Sequence, residues 1–388
     1  MSSHAVIAKP AILKWARESC NLSVQAAAKR ATVKAEKLEE WEAGDTGPSL
    51  PQLRKLADAY RRPLAVFLLP EAPTDFQTIR DYRSVSGEET TSSYYLAQEV
   101  SAAQARREAA LELADALGAK PLPFDLSCSE TDDPEKVAAE LRAALGVKID
   151  EQLGWKDKYE ALRNWKQAVE RLGVLVFEMS RYVEVTEARG FSIYNKTFPI
   201  VAVHGSDSPR ARIFTLGHEL THLLLRTGGI CEFFEHISPE YQRIETFCNR
   251  VSAALLMPKK TLLSFPECQQ TEDVDLELVA TMAGRFGVSS EAMVIRLAQL
   301  GLIPRWQVED ALVALRVAAA NYRAAQPKKP VAIPQFRSAL KRNGVPFASL
   351  VMNAYRSETI TLSDASSLLS LRTKHFGKLE QQLYGVAS

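Results

Sequence analysis

The sequence predicts an α+β protein that is mostly helical, with one small sheet. Three observations carry that reading. Apolar residues recur at helical spacing through most of the chain. Strand-like runs are confined to "VLVFEM", "GFSIYN" and "FPIVAVHG", separated by turn residues. The 388 residues exceed what one core usually holds, so several domains are expected.

Taken in order, residues 1–70 read as a module of five short helices. These are "AILKWARES", "SVQAAAKR", "KAEKLEEWEAG", "SLPQLRKLADAY" and "PLAVFLL", with Ser23 and Ser49 as N-caps and Gly44 as a stop. Residues 71–164 form a helical connector. Its opening, "PEAPTDFQTIRDYRSVSGEE", has no period, and helices are expected over 92–118, 128–147 and 156–173. Residues 165–265 carry the strand-like runs and two long helices, and 266–325 return to helical spacing. "AAQPKKPVAIP" reads as a Pro/Lys-rich linker into a helical C-terminal domain, 326–388. No internal repeat is evident.

Composition narrows the class. With 46% hydrophobic and 24% charged residues, the chain has the make-up of a globular protein rather than a disordered one. A net charge of +1 gives no global support to nucleic-acid binding, so any basic surface is local. The five cysteines, Cys20, Cys128, Cys231, Cys248 and Cys268, form no C-x-x-C pair. A reducing compartment is the simpler reading. "MSSHAVIAKPAILKWARES" lacks a continuous apolar core, and no apolar run is long enough to span a bilayer. A cytoplasmic protein without a membrane partner is expected.

One stretch carries chemistry. "FTLGHELTHLLL" places His218 and His222 at i and i+4 of a helix opened by Ser208-Pro209 and closed by Gly228-Gly229. Two neutral imidazoles on one helix face can hold one zinc ion, with Glu219 beside the attacking water. Buried polar groups need partners, so two histidines and a glutamate in an apolar helix call for a reason. The extended H-E-x-x-H-x-x-G-x-x-H pattern fails, because Leu225 and Gly228 stand at its last two positions. A third ligand must come from downstream. Glu245 is preferred because "SPEYQRIETFCNRVSAALLMP" reads as one rigid helix, with Asn249 a turn later on the same face. Glu232, Glu235, His236 and Glu240 are rivals. His236, Tyr241 and Arg243 are candidate oxyanion donors, while His4, His204 and His375 read as ordinary residues.

"RIFTLGHELTHLLL" followed by "IETFCNRVSAALLMP" resembles the ImmA/IrrE family of metalloendopeptidases, and "VSSEAMVIRLAQLGLI" resembles the helical segment that follows its core. The resemblance covers about 165–305. It implies a zincin-like core in which His218, His222 and Glu245 bind Zn²⁺ and Glu219 is the general base. Mn²⁺ or Fe²⁺ suit the same ligands. Cys248 stands where smaller residues are commoner, and reads as core. "LKWARESCNLSVQAAAKRATV", "LEEWEAG" and "PSLPQLRKLADAYRRPLAVFLLP" resemble an XRE-type helix-turn-helix domain. Its third helix, about Val33–Glu42, would be the recognition helix. Residues 1–70 hold 11 Lys/Arg against 7 Asp/Glu, and Lys34 and Lys37 are the candidate phosphate contacts. Glu36, Glu39, Glu40 and Glu42 on the same helix oppose DNA and favour protein docking.

The resemblance implies a cytoplasmic, site-specific zinc endopeptidase acting on a protein partner such as a DNA-binding repressor. The rival reading is a DNA-binding regulator or antitoxin whose metal site is structural or vestigial. An intact Glu219 favours the enzyme, because a structural site has no need of that acid.

Overall fold

The computed structural model describes residues 8–20, 22–60, 62–71, 94–226, 239–266, 274–325 and 333–385. It divides into two compact units, residues 1–102 and 103–388.

The first unit is a small helical bundle. Its helices are α1 (Pro10–Glu18), α2 (Val24–Ala31), α3 (Ala35–Ala43) and α4 (Leu50–Tyr60), followed by a 3-10 turn at Leu64–Leu68. Local chemistry sets most boundaries. Ser23 Oγ accepts the Ala26 N–H and caps α2, and Gly44, at φ 90°, ends α3. Ser49 acts differently: its own N–H and hydroxyl both donate to Gln52 Oε1, at 2.8 Å. The core is Ile12, Leu13, Leu38, Trp41, Leu53, Leu56, Tyr60 and Phe67, each at most 2% exposed. Helix α5 (Tyr94–Ala116) begins here, with Tyr94 packed on that core.

The second unit continues with α6 (Pro134–Leu145), α7 (Ile149–Leu153) and α8 (Lys158–Glu170), then a three-stranded sheet. Its strands are β1 (Leu175–Met179), β2 (Gly190–Ile193) and β3 (Ile200–His204), in the order β1-β3-β2. Strands β1 and β3 are parallel, and β2 runs antiparallel to β3 at the edge. Both β1 and β3 are fully buried, which is why their sequences are apolar on both faces apart from the buried Glu178 and His204. Val176, Val201 and Val203 face the helices on one side of the sheet. On the other side Phe177 meets Phe347 edge-on, with ring centroids 6.4 Å apart.

After the sheet come α9 (Pro209–Leu225), α10 (Pro239–Leu256), α11 (Lys259–Ser264), α12 (Leu276–Phe286), α13 (Ser290–Gln299) and α14 (Val308–Ala325). The C-terminal helices are α15 (Gln335–Asn343), α16 (Val345–Arg356), α17 (Leu362–Leu369) and α18 (Phe376–Tyr384). Among the described residues no single helix is long and apolar enough to cross a membrane. The pair α12 and α13 passes on composition, but it is bent by 101° and its apolar residues belong to the core. Cys20, Cys128 and Cys248 are free thiols, and Cys231 and Cys268 lie outside the described residues.

Candidate metal centre

Helix α9 begins as its sequence suggests, with Ser208 Oγ accepting the Ala211 N–H and Pro209 in the first turn. Its end differs from expectation. The helix stops at Leu225, and Arg226 takes the left-handed conformation at φ 56°. A non-glycine residue there leaves no sequence signal, whereas Gly228-Gly229 lies outside the described residues. Almost the whole helix is buried between the sheet and α10. His218, Glu219 and His222 are 8%, 1% and 2% exposed.

Helix α10 brings the third carboxylate. It approaches α9 closely at Gly217, where an added Cβ would stand 2.8 Å from Ser252 Oγ. Ser252 Oγ fills that space by donating to Phe214 O at 2.9 Å. Glu245, almost two turns before Ser252, then faces both histidines. Its Oε2 is 3.2 Å from His218 Nε2, and its Oε1 is 3.2 Å from His222 Nε2. The two Nε2 atoms are themselves 3.2 Å apart. One donor atom from each residue lies within 4.8 Å of the others.

Protonation suits a cation. His218 Nδ1 is 3.0 Å from Asn249 Oδ1. A carbonyl oxygen only accepts, so Nδ1 carries a hydrogen, and Nε2 is the ring atom turned toward Glu245 and His222. Burial pulls His222 below the usual imidazole range, against its bond with Glu245. Burial alone would raise Glu245, but its bonds to His218 and His222 outweigh this and hold it well below the usual carboxylate range. Neutral imidazole and ionised carboxylate are the forms that bind metal. Two imidazole nitrogens and a carboxylate oxygen converge within 4.8 Å of one another, so the donor set fits a zinc-class ion.

Strand β2 closes the side of the site at Glu219. Gly190 and Ser192 pair with Val203 and Val201, so their Cβ directions point to the face that packs on α9. A Cβ on Gly190 would meet Thr215 Cγ2 at 2.5 Å, Ala202 O at 2.9 Å and Glu219 Oε1 at 3.0 Å. Only glycine lets the strand lie this close to the Glu219 carboxylate. Sequence reasoning missed Gly190, because strand pairing rather than spacing brings it to the helix.

This core resembles a known family at the level of whole-domain sequence. The model of the IrrE N-terminal-like domain, of peptidase family M78, matches residues 169–298. A helix-turn-helix domain model matches residues 11–67. The chain joins an IrrE-like domain to a helix-turn-helix domain. No curated protein matches it. The IrrE-like segment runs from the end of α8 to the end of α13 and contains His218, Glu219, His222, Glu245 and Asn249.

The remaining candidates fall elsewhere. Glu232, Glu235 and His236 lie outside the described residues, as do the side chains of Glu240 and Tyr241. Arg243 is exposed and lines a groove with Glu130, Thr131 and Asp132. His204 is buried, its ring bonded to Val183 O and the Ser206 N–H. In the helix-turn-helix domain, Lys34 precedes α3 without a side-chain cap bond, and Lys37 pairs with Glu40 at 2.8 Å. Glu42 is committed to the fold: its two oxygens each accept from the buried Arg17 at 2.8 Å.

Proposed function

We propose that the chain is a zinc-dependent, site-specific endopeptidase that cleaves a protein partner. The partner is a transcriptional repressor or similar regulator in a stress, phage or toxin–antitoxin type response. The observation that supports this most is the convergence of His218, His222 and Glu245, with Asn249 orienting His218 and Glu219 held beside them. Zinc bound by those three residues supplies a Lewis acid for the scissile carbonyl and lowers the pKa of water. Glu219 takes the proton of the attacking water at its carboxylate and returns it to the leaving amine. Asn249 keeps the His218 ring in one tautomer and one orientation. The buried helix and strand around Glu219 exclude bulk water from that exchange.

Strand β2 supports an extended substrate. Arg189 O accepts the His204 N–H, so the backbone groups of Gly190 and Ser192 point away from β3. No strand pairs that outer edge among the described residues. A peptide added there runs past Glu219, and a folded substrate would have to present an exposed, extended segment. That requirement favours site-specific cleavage over general digestion, in a reducing cytoplasm. The helix-turn-helix match keeps a second reading in view, a DNA-binding regulator with a structural metal.

A Glu219→Gln trap separates the two. The variant is used to capture a partner from the native cell, and the partner is then incubated with wild type and variant. The protease reading expects metal content to persist and cleavage to fall by about 100-fold or more, as for loss of a general base. Equal cleavage by both proteins would exclude Glu219 as the base.

A further inference from the structure

We infer that residues 361–384 form a second helix-turn-helix, and that this C-terminal motif binds the phosphate backbone of duplex DNA. The inference stands independently of the protease reading. One local backbone occurs twice, at a constant offset along the chain. In the N-terminal domain Ser23 caps an eight-residue helix, α2, by accepting the N–H three residues on. Near the end of the second unit Thr361 caps the eight-residue α17 in the same way. Each helix ends in a left-handed residue that is not glycine: Thr32 at φ 54°, ψ 47°, and Ser370 at φ 46°, ψ 45°. In each, the next N–H reaches back five residues, Val33 to Ala28 O at 2.9 Å and Leu371 to Ser366 O at 3.1 Å.

Burial follows the same offset. Ala27 and Ala365 are both 0% exposed, and Ala31 and Leu369 are 1% and 0%. In the second helix Leu38 and Trp41 are matched by Phe376 and Leu379, all at most 6% exposed. Glu42 binds Arg17, and its counterpart Glu380 binds Arg356 at 3.5 Å. One difference is that Thr373–His375 open the second helix as a 3-10 turn. The sequence conceals the likeness, since among Ser23–Ala43 only Ala27 and Glu42 are identical to their counterparts.

The two motifs differ in what they present. The outward charged positions of α3 are Glu36, Lys37 and Glu39, with Glu40 half-buried. Their counterparts are Lys374, His375, Gly377 and Lys378, so the acids are replaced by lysines and glycine, and Arg372 stands where Lys34 does. Arg372, Lys374 and Lys378 are exposed and carry no ion pair among the described residues. Residues 333–385 hold seven Lys/Arg against three Asp/Glu, although the whole chain is nearly neutral. The start of a second helix is the part that meets DNA in this motif, and phosphates select Lys and Arg. Gly377 lets the helix surface come close to a backbone. Asp364 is the one acid on α17, and its carboxylate is occupied in a reciprocal cap with Thr361.

The experiment measures binding of the full chain to a labelled DNA duplex of mixed sequence, between about 50 and 200 mM salt. Wild type is compared with Lys374→Glu/Lys378→Glu and with a charge-matched control, Lys120→Glu/Lys136→Glu. All four lysines are exposed, and helicity and melting temperature check that the variants fold. The expected result is a loss of at least about tenfold in affinity for Lys374→Glu/Lys378→Glu, with the salt slope reduced by roughly two. The control keeps most of its affinity. The proposal is overturned if wild type does not bind the duplex, or if both double variants lose affinity alike. It is also overturned if poly-glutamate binds as tightly as DNA, because the surface would then be only generically basic.

Discussion

Asn249 is the residue on which the orientation of His218 depends. Removing its carbonyl frees Nδ1 and allows the ring to turn or to protonate at Nε2. Asn249→Ala is therefore expected to weaken zinc binding by about 10- to 100-fold in a chelator competition. Asn249→Asp, which still accepts a hydrogen bond, should keep most of the affinity. Affinity unchanged in Asn249→Ala would show that His218 needs no such support. The roles proposed for His218, His222 and Glu245 were legible because helical spacing is a local property: i, i+4 puts two imidazoles on one face, and a rigid downstream helix can deliver an acid. Gly190 was not legible, since its contact with Glu219 arises only when β2 pairs with β3. Glu42 was misread as an acid facing DNA. Nothing local to "EEWEA" announces that Arg17, on another helix, needs it.

At the scale of elements, β1, β2 and β3 were visible as short apolar runs, and α9 and α10 as capped helices. The end of α9 was not, because Arg226 holds a conformation that usually selects glycine. The last helix expected in residues 1–70 forms only a 3-10 turn of five residues. One junction carries a pH dependence that no motif signals. Glu170, at the end of α8, accepts the Val345 N–H at the start of α16, at 3.3 Å. Burial pushes its carboxyl up to about 7, against the opposing pull of Lys166 and that N–H. A carboxyl raised in the folded state stabilises below its ordinary value of 4.5, and this stabilisation is lost as pH rises through about 7. Wild type should therefore lose melting temperature between pH 5 and pH 8 through this group, by about 2–4 °C per kcal/mol. Glu170→Gln should flatten that part of the profile and melt higher than wild type at pH 8. Parallel profiles for the two proteins would place the charge of Glu170 in water rather than in the fold.

For the whole molecule, a candidate metal centre lies in the IrrE-like domain, and the cap and left-handed end of α2 in the helix-turn-helix domain recur at α17. Both regions carry an excess of basic residues, but the third helix of the N-terminal one mixes Glu36 and Glu39 with Lys37, where the C-terminal one has Lys374 and Lys378. The central claim remains the metal centre, and it is tested most directly by metal content. Full-length wild type and His222→Ala are loaded with zinc, dialysed together and analysed for metal per chain. The account predicts about one zinc per wild-type chain and a large loss in His222→Ala, with both proteins folded. Equal metal in the two proteins would contradict it.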